Sequence, residues 1–297
     1  MMGLKFALVG GDLRNVKLAS ILAAEGCTVY TYGISHSSIG TNFNRCSELG
    51  EAVTMGDFII GPMPFTVGAS KLNAPLHTGE IELEDILRAV PKGKIIIAGK
   101  VPSQFVFGAV AKGIRVVDIL QREDMAVLNA IPTAEGAIQI AMEEIPVTVH
   151  GCKMLVLGLG KVGAALAQRL KALGAEVTVC VRKSRDMALA ESYGYQVIPF
   201  DRLAAEAGHF TVIYNTVPAM VIDRTVLSAV SPETLVVDLA SRPGGVDFDF
   251  AKECGIKTVQ ALSLPGKVAP ETSAETIAKV IFNILKELAG EAAQHVN

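Results

Sequence analysis

Residues 158–163 read Gly-Leu-Gly-Lys-Val-Gly, directly after the apolar run Met154–Leu157 and directly before the helix-forming stretch Ala164–Leu173. Glycines at this spacing between a strand and a helix bind the pyrophosphate of a dinucleotide. Gly158 allows the tight turn, Gly160 lets the backbone approach a phosphate, and Gly163 lets the helix pack close to the strand. Lys161 and Val162 belong to the same turn. The helix start adds free N–H groups and the positive end of its dipole.

The next strand, Glu176–Val181, refines the ligand. An NAD site places an acid about 20 residues on, at the end of this strand, to hold the ribose 2′-hydroxyl. The chain has Arg182-Lys183-Ser184-Arg185 there, with no acid. Three cations and a hydroxyl suit a 2′-phosphate, which arginine grips with two parallel hydrogen bonds. A solvated basic turn is the plainer reading. The expected cofactor is therefore NADP. Two later loops should border the same groove: Thr216-Val217-Pro218 after the strand Phe210–Asn215, and Asp238–Ser241 after the strand Thr234–Ala240. Plain turns of proline and small residues would look the same.

The elements that must position these residues follow from composition and pattern. A chain of 297 residues is long enough for two ordinary domains. Half of it is hydrophobic, yet no apolar run reaches the ~18 residues of a membrane span. Short continuous apolar runs such as 94–99 and 210–217 read as buried parallel strands. Five scattered cysteines form no metal-ligand pattern, and a net charge of −3 without a basic run argues against nucleic acid. The N-terminus enters a strand at once, so no secretory signal is evident and a reducing cytoplasm is the expected setting.

Laid on itself at an offset of 148 residues, the chain repeats. Residues 5–10 fall on 153–158, Gly26 on Gly174, and Val29 on Val177. The first copy has lost the phosphate loop: Asp12 stands where Gly160 stands, and Asn15 where Gly163 stands. A carboxylate at the close-approach position would repel a pyrophosphate. The fold expected is α/β, with two doubly wound parallel-sheet (Rossmann-like or flavodoxin-like) domains and a cleft between them. The domains are placed at 1–125 plus a C-terminal helix 271–297, for substrate or partner, and at 126–270, for NADP. A connecting helix is expected over 132–144, starting at Pro132 and Thr133.

Segments from end to end of the chain carry a resemblance. GGDLR at 10–14, REDMAVLNAIPTAEG at 122–136, GLGKVG, NTVP at 215–218, DLASRPGGVDF at 238–248 and LPGKVAPETSAETI at 264–277 closely resemble the dipicolinate synthase A-subunit family of spore-forming bacteria. The resemblance implies a two-domain fold similar to D-2-hydroxyacid dehydrogenases and S-adenosylhomocysteine hydrolase. It implies a second, flavoprotein-like partner, the B-subunit of dipicolinate synthase, hence a hetero-oligomer, and a role in sporulation in the mother-cell cytoplasm. It also implies the reaction: a hydroxy-tetrahydrodipicolinate becomes dipicolinate (pyridine-2,6-dicarboxylate), using NADP. Self-association is left open.

Such chemistry asks the protein to hold a small dianion, remove protons and place one ring carbon against the nicotinamide. Cations at predicted strand ends or loops are Arg14, Lys100, Arg122, Arg242 and Lys267. Arg242 is foremost, because Ser241 and Pro243-Gly244-Gly245 flank it in a turn that lets a ligand come close. Its alternative is a salt bridge to Glu123 or Asp124. Lys100 and Lys267, the latter in the loop LPGKVAP, read equally as solvated lysines. Arg14 opens a helix, where the dipole disfavours a cation and so argues for a functional reason. Acid–base candidates are Glu123, Asp124, Glu135 and Asp12. Glu135 also suits a helix first turn, and Asp124 an interdomain ion pair. Thr133, Asn129 and Ser241 hydrogen-bond substrate or cap helices and turns, with capping the better reading for Thr133. None of His36, His77, His150, His209 and His295 follows a late strand of the second half, so histidine-based alcohol oxidation is not expected. Two other readings stay open: a dehydrogenase of an open-chain hydroxy or amino acid, and an NADP-binding regulatory or scaffold protein whose chemistry resides on the partner.

Overall fold

The computed structural model describes residues 3–35 and 43–294. The chain divides into two compact units, Met1–Leu128 with Ala269–Asn297, and Asn129–Val268. In the first unit the strands are β1 (Lys5–Val9), β2 (Thr28–Tyr32), β3 (Asn44–Arg45), β4 (Phe58–Ile60), a two-strand antiparallel hairpin β5 (Thr66–Val67) and β6 (Lys71–Leu72), then β7 (Ile95–Ala98) and β8 (Arg115–Asp118). All but the hairpin form one parallel sheet in the order β3-β2-β1-β4-β7-β8. The second unit contributes β9 (Lys153–Leu157), β10 (Glu176–Val181), β11 (Gln196–Pro199), β12 (Val212–Asn215), β13 (Leu235–Asp238) and β14 (Lys257–Gln260), parallel in the order β11-β10-β9-β12-β13-β14.

The two sheets are therefore doubly wound in the same way, with the strand order reversing beside β1 and beside β9. Ligands of such sheets bind beyond the carboxyl ends of the strands at that switch point. Both faces of each sheet are covered, which is why the strands are apolar without a break. Met154 and Val156 of β9 face one core with Leu166 and Tyr214. Leu155 and Leu157, on the opposite face, meet Ile213 and Val236. The offset of 148 holds at the level of structure. It carries β1 onto β9 end for end, and helix Leu13–Ala24 onto helix Lys161–Ala172.

The helix expected over 132–144 begins nine residues earlier, at Glu123, and Pro132 lies inside it. Acids at positions 123 and 124 suit the first turn of a helix, and the Asp124 carboxylate accepts from the Met125 N–H at 2.9 Å. Pro132 removes one helical donor, the one that would reach Leu128, without ending the helix. Thr133 is consequently no cap: its hydroxyl donates to the Asn129 carbonyl at 2.7 Å, within the helix. The closing helix runs over Pro270–Gln294. Residues 264–268, expected as a loop, form a short helix with Lys267 in its last turn.

Candidate functional site

The glycine turn of the second unit is built as its spacing requires. Gly158 has φ +90°, and its N–H donates to the Cys180 carbonyl of β10 at 2.9 Å. A Cβ on Gly163 would lie 2.2 Å from the Gly158 carbonyl oxygen, so only glycine lets the helix start this close to the strand end. Gly160 is the N-cap of helix Lys161–Ala172 and offers no side-chain acceptor to its first N–H groups. Nothing lies within 4 Å of where a Gly160 Cβ would be. The result is a helix N-terminus facing open space with uncapped donors, which is the chemistry of an anion cradle. The opposite wall is Thr216, whose hydroxyl donates to the Leu157 carbonyl at 2.7 Å and would sit 2.8 Å from a Gly158 Cβ. Val217 follows it half-buried, and Pro218 is exposed.

Two substitutions separate folding from binding in this turn. Gly163→Ala drives a methyl group into the Gly158 carbonyl and is expected to cost about 3 kcal/mol of stability along with cofactor binding. Gly160→Ala meets no atom of the protein and keeps an ordinary φ of −71°. Its melting temperature should stay at the wild-type value, while dinucleotide affinity falls because the methyl stands in the cradle. Thermal denaturation and cofactor titration of both variants check this. Loss of stability in Gly160→Ala would contradict the open space.

At the end of β10, Arg182, Lys183, Ser184 and Arg185 are all exposed, the last two opening helix Ser184–Ser192. None of the three cations has a carboxylate partner among the described residues. Arg182 instead lies over the Phe200 ring at 5.7 Å, which holds its guanidinium plane while leaving its donors unclaimed.

The loop after β13 departs from expectation at one residue. Asp238 is fully buried and accepts from the Asn215 amide at 2.8 Å, the Ala240 N–H at 3.1 Å and the Gly245 N–H at 3.1 Å. Its side chain has no face for a cofactor, because the inward residue at a strand end points into the domain and finds its partners there. Ser241 and Arg242 stand exposed in the same loop, and Arg242 has no partner among the described residues. Asn215, read from the sequence only as the end of a strand, supplies the amide that engages Asp238 and bonds both backbone groups of Val217; the motif NTVP was its signal.

The first unit closes the equivalent turn. Asp12 caps helix Leu13–Ala24 by accepting from the Arg14 N–H at 2.9 Å. The Arg14 guanidinium pairs with Asp12 at 2.7 Å and donates to the Met63 carbonyl, so this buried arginine spans the loops after β1 and β4. Its expected role as a free carboxylate ligand gives way to that of a strut. The Asn15 side chain fills the space under Gly11, at the position that Gly163 occupies without a side chain in the other unit. Lys100, at the end of β7, is exposed and has φ +57°, a conformation unusual for a side-chain-bearing residue. The Asp118 carboxylate holds it there by accepting from the N–H groups of Lys100 and Val101, both at 2.9 Å.

Asp124 and Arg122 are likewise bound to structure. Arg122 grips Asp124 at 2.9 and 3.0 Å and Glu287 at 2.8 Å, and Asn283 donates to Asp124 at 3.1 Å. The Arg122 guanidinium, before all other causes, lowers the Asp124 carboxyl to about 2 and also lowers Glu287, while both acids raise Arg122. A carboxyl held that low is a poor general base. Its folded value lies below its ordinary value of 3.8, so the pair stabilises the first unit above that value. The contribution is lost as pH falls from about 4 to about 2. Asp124→Asn should flatten acid unfolding in that window, as followed by circular dichroism; an unchanged slope would show that the pair contributes nothing.

Glu123 is exposed in the same first turn, and Glu135 pairs with Arg169 at 3.3 Å while remaining largely exposed. Lys267 is exposed without an ion-pair partner among the described residues. Three histidines are described: His77 packs on the Tyr32 ring at 5.6 Å, and His150 and His209 lie at turns on the amino-terminal side of β9 and β12. His36 and His295 lie outside the described residues. Among the described residues no group of three or more His, Cys, Asp or Glu side chains could hold a metal, and no helix is long and apolar enough to cross a membrane.

Comparison with known proteins agrees with this geometry. Residues 5–120 match the family model for the N-terminal domain of the dipicolinate synthase A-subunit, and residues 110–248 that for the D-isomer specific 2-hydroxyacid dehydrogenase NAD binding domain. The chain is 35% identical over 294 residues to the dipicolinate synthase A-subunit of Bacillus subtilis (strain 168), covering 97% of this chain and 98% of that one. Crystal structures of that protein from Bacillus subtilis and Bacillus halodurans both superpose with a TM-score of 0.88. The identities are 34% and 30%, over 98% and 96% of this chain and 98% of each of theirs.

Proposed function

Because the chain belongs to the dipicolinate synthase A-subunit family, we propose that it is the NADP-dependent oxidoreductase component that converts a hydroxy-tetrahydrodipicolinate to dipicolinate. Overall the ring loses one water, a hydride and a proton, and ends as pyridine-2,6-dicarboxylate. The nicotinamide, when bound, accepts the hydride. The observation that carries the reading is the uncapped glycine turn of the second unit beside a basic turn without an acid.

The chain's own groups divide the work. The N–H groups at the start of helix Lys161–Ala172 hold the pyrophosphate, and Arg182, Lys183, Ser184 and Arg185 hold the 2′-phosphate. Arg242 takes one substrate carboxylate, with Lys267 of the same unit as a further cation. Glu123 and Glu135 remain the acid–base candidates because both are exposed, Glu135 even while paired with Arg169, whereas Asp124 and Asp12 are each held by an arginine through two or more hydrogen bonds. The first unit, its turn closed by Asp12, serves substrate or the flavoprotein-like partner. The setting is the mother-cell cytoplasm of a spore former.

The test mixes the purified chain, NADP and freshly made tetrahydrodipicolinate, with and without the flavoprotein-like partner. NADPH formed in either mixture supports the oxidoreductase reading. NADPH formed only with the partner means that catalysis is shared. NADP binding without NADPH in either mixture sinks the reading and leaves a regulatory protein.

A further inference from the structure

The loop that carries Arg242 is held by two side chains that solvent does not reach. Asn215 and Asp238 are the last residues of the neighbouring strands β12 and β13, and both are 0% exposed. We propose that they form a clasp that sets the path of residues 239–246, so that Asp238 is a positioning residue for Arg242. This rests on the reading that Arg242 binds a substrate carboxylate.

Every partner of Asp238 is a donor. One oxygen accepts from the Asn215 amide and the Ala240 N–H, and the other from the Gly245 N–H. Ala240 and Gly245 lie at the two ends of the excursion, and between them Ser241, Arg242 and Pro243 stand exposed. One carboxylate therefore ties down both ends of a loop whose tip is free. Asn215 is committed in turn: its amide also donates to the Val217 carbonyl at 3.0 Å, and its oxygen accepts from the Val217 N–H at 3.0 Å. The Gly245 carbonyl then accepts from the N–H groups of Val221 and Ile222, at 3.1 and 2.9 Å, which binds the loop after β13 to the loop after β12.

Space is as tight as the bonding. A Cβ on Gly244, at φ +87°, would lie 2.8 Å from an Asp238 oxygen, and one on Gly245 would lie 2.3 Å from the Asn215 amide nitrogen. No lysine or arginine pairs with Asp238 among the described residues. A buried carboxylate without a cation is costly to keep for stability alone. A fully satisfied buried polar network instead fixes one geometry. Asparagine at 238 would not reproduce it. Its NH2 group must face either the Asn215 and Ala240 donors or the Gly245 N–H, which sets donor against donor.

The experiment makes Asp238→Asn and Arg242→Ala singly and together, in the full chain with NADP and the flavoprotein-like partner. Asp238→Asn should lower kcat/KM about a hundredfold. It should leave NADP affinity unchanged in a titration and speed amide hydrogen exchange at Ala240 and Gly245. In the Arg242→Ala background it should add no more than about twofold, because what it positions is already gone. Additive losses would overturn the proposal, and so would a fall in NADP affinity that parallels the fall in activity. If Arg242→Ala alone leaves turnover intact, the substrate reading of Arg242 fails, and the exchange rates still decide the clasp: unchanged exchange at 240 and 245 overturns it. Should Asp238→Asn not fold, Asn215→Ser carries the same cycle. If neither folds, the pair holds the domain and not the loop, and the proposal is overturned.

Discussion

Arg242→Ala lowers kcat/KM for the dicarboxylate about a thousandfold and leaves NADP affinity unchanged. A doubly hydrogen-bonded contact between guanidinium and carboxylate is worth about 4 kcal/mol, and about 1.4 kcal/mol is tenfold. The cofactor is spared because the basic turn follows β10 and Arg242 follows β13. Those strands are separated by β9 and β12, so about 14 Å lies between them. Arg242 has no carboxylate of its own to release among the described residues, so its loss leaves no buried charge behind and the fold should survive. Steady-state kinetics and a cofactor titration on the same preparation decide the matter. Loss of NADP binding together with turnover would move Arg242 out of the substrate site.

Arg182→Asp weakens NADP about a hundredfold and leaves NAD nearly untouched, which reverses the cofactor preference. Two charge-assisted hydrogen bonds to the 2′-phosphate are worth about 3 kcal/mol together, and the new carboxylate repels the phosphate besides. NAD lacks that phosphate and gains an acceptor for its 2′-hydroxyl. Arg182→Lys should fall between, since it keeps the charge but loses the planar fork and its hold on the Phe200 ring. Raised salt should weaken NADP more than NAD in the wild type, because Arg182, Lys183 and Arg185 are exposed to screening. Tighter binding of NAD than NADP by the wild-type chain would end the NADP reading.

The cofactor turn was legible because its chemistry is local. Gly158, Gly160 and Gly163 work through φ, open space and a Cβ position that a carbonyl oxygen already blocks, and all three are settled within one turn and the start of one helix. The same is true of the closed copy, where Asp12 reaches Arg14 only two residues away. Helix Glu123–Glu144 was half legible. Pro132 looked like a start because proline favours first turns, while the acids that truly begin the helix stood out only as acid–base or ion-pair candidates. Asp124 suits a base in sequence: its main partner Arg122 is only two residues away, but Asn283, which also donates to it, and Glu287, which shares Arg122, are more than 150 residues away. Asp238 was the hardest, since a strand-end aspartate before a Pro-Gly-Gly turn looks the same whether it faces a ligand or the core.

The sequence by itself determined two copies of one α/β unit, one with an open phosphate turn and one with that turn closed by an acid. It did so because backbone geometry and the first turn of a helix depend on near neighbours. Only the tertiary structure decided which charged groups are free to act. Arg14, Arg122, Asp124 and Asp238 are each engaged, while Arg182, Lys183, Arg185, Arg242 and Lys267 reach solvent without a carboxylate partner among the described residues. Burial and hydrogen-bond satisfaction are set by residues that meet across strands and helices, and no local pattern records which of them will meet.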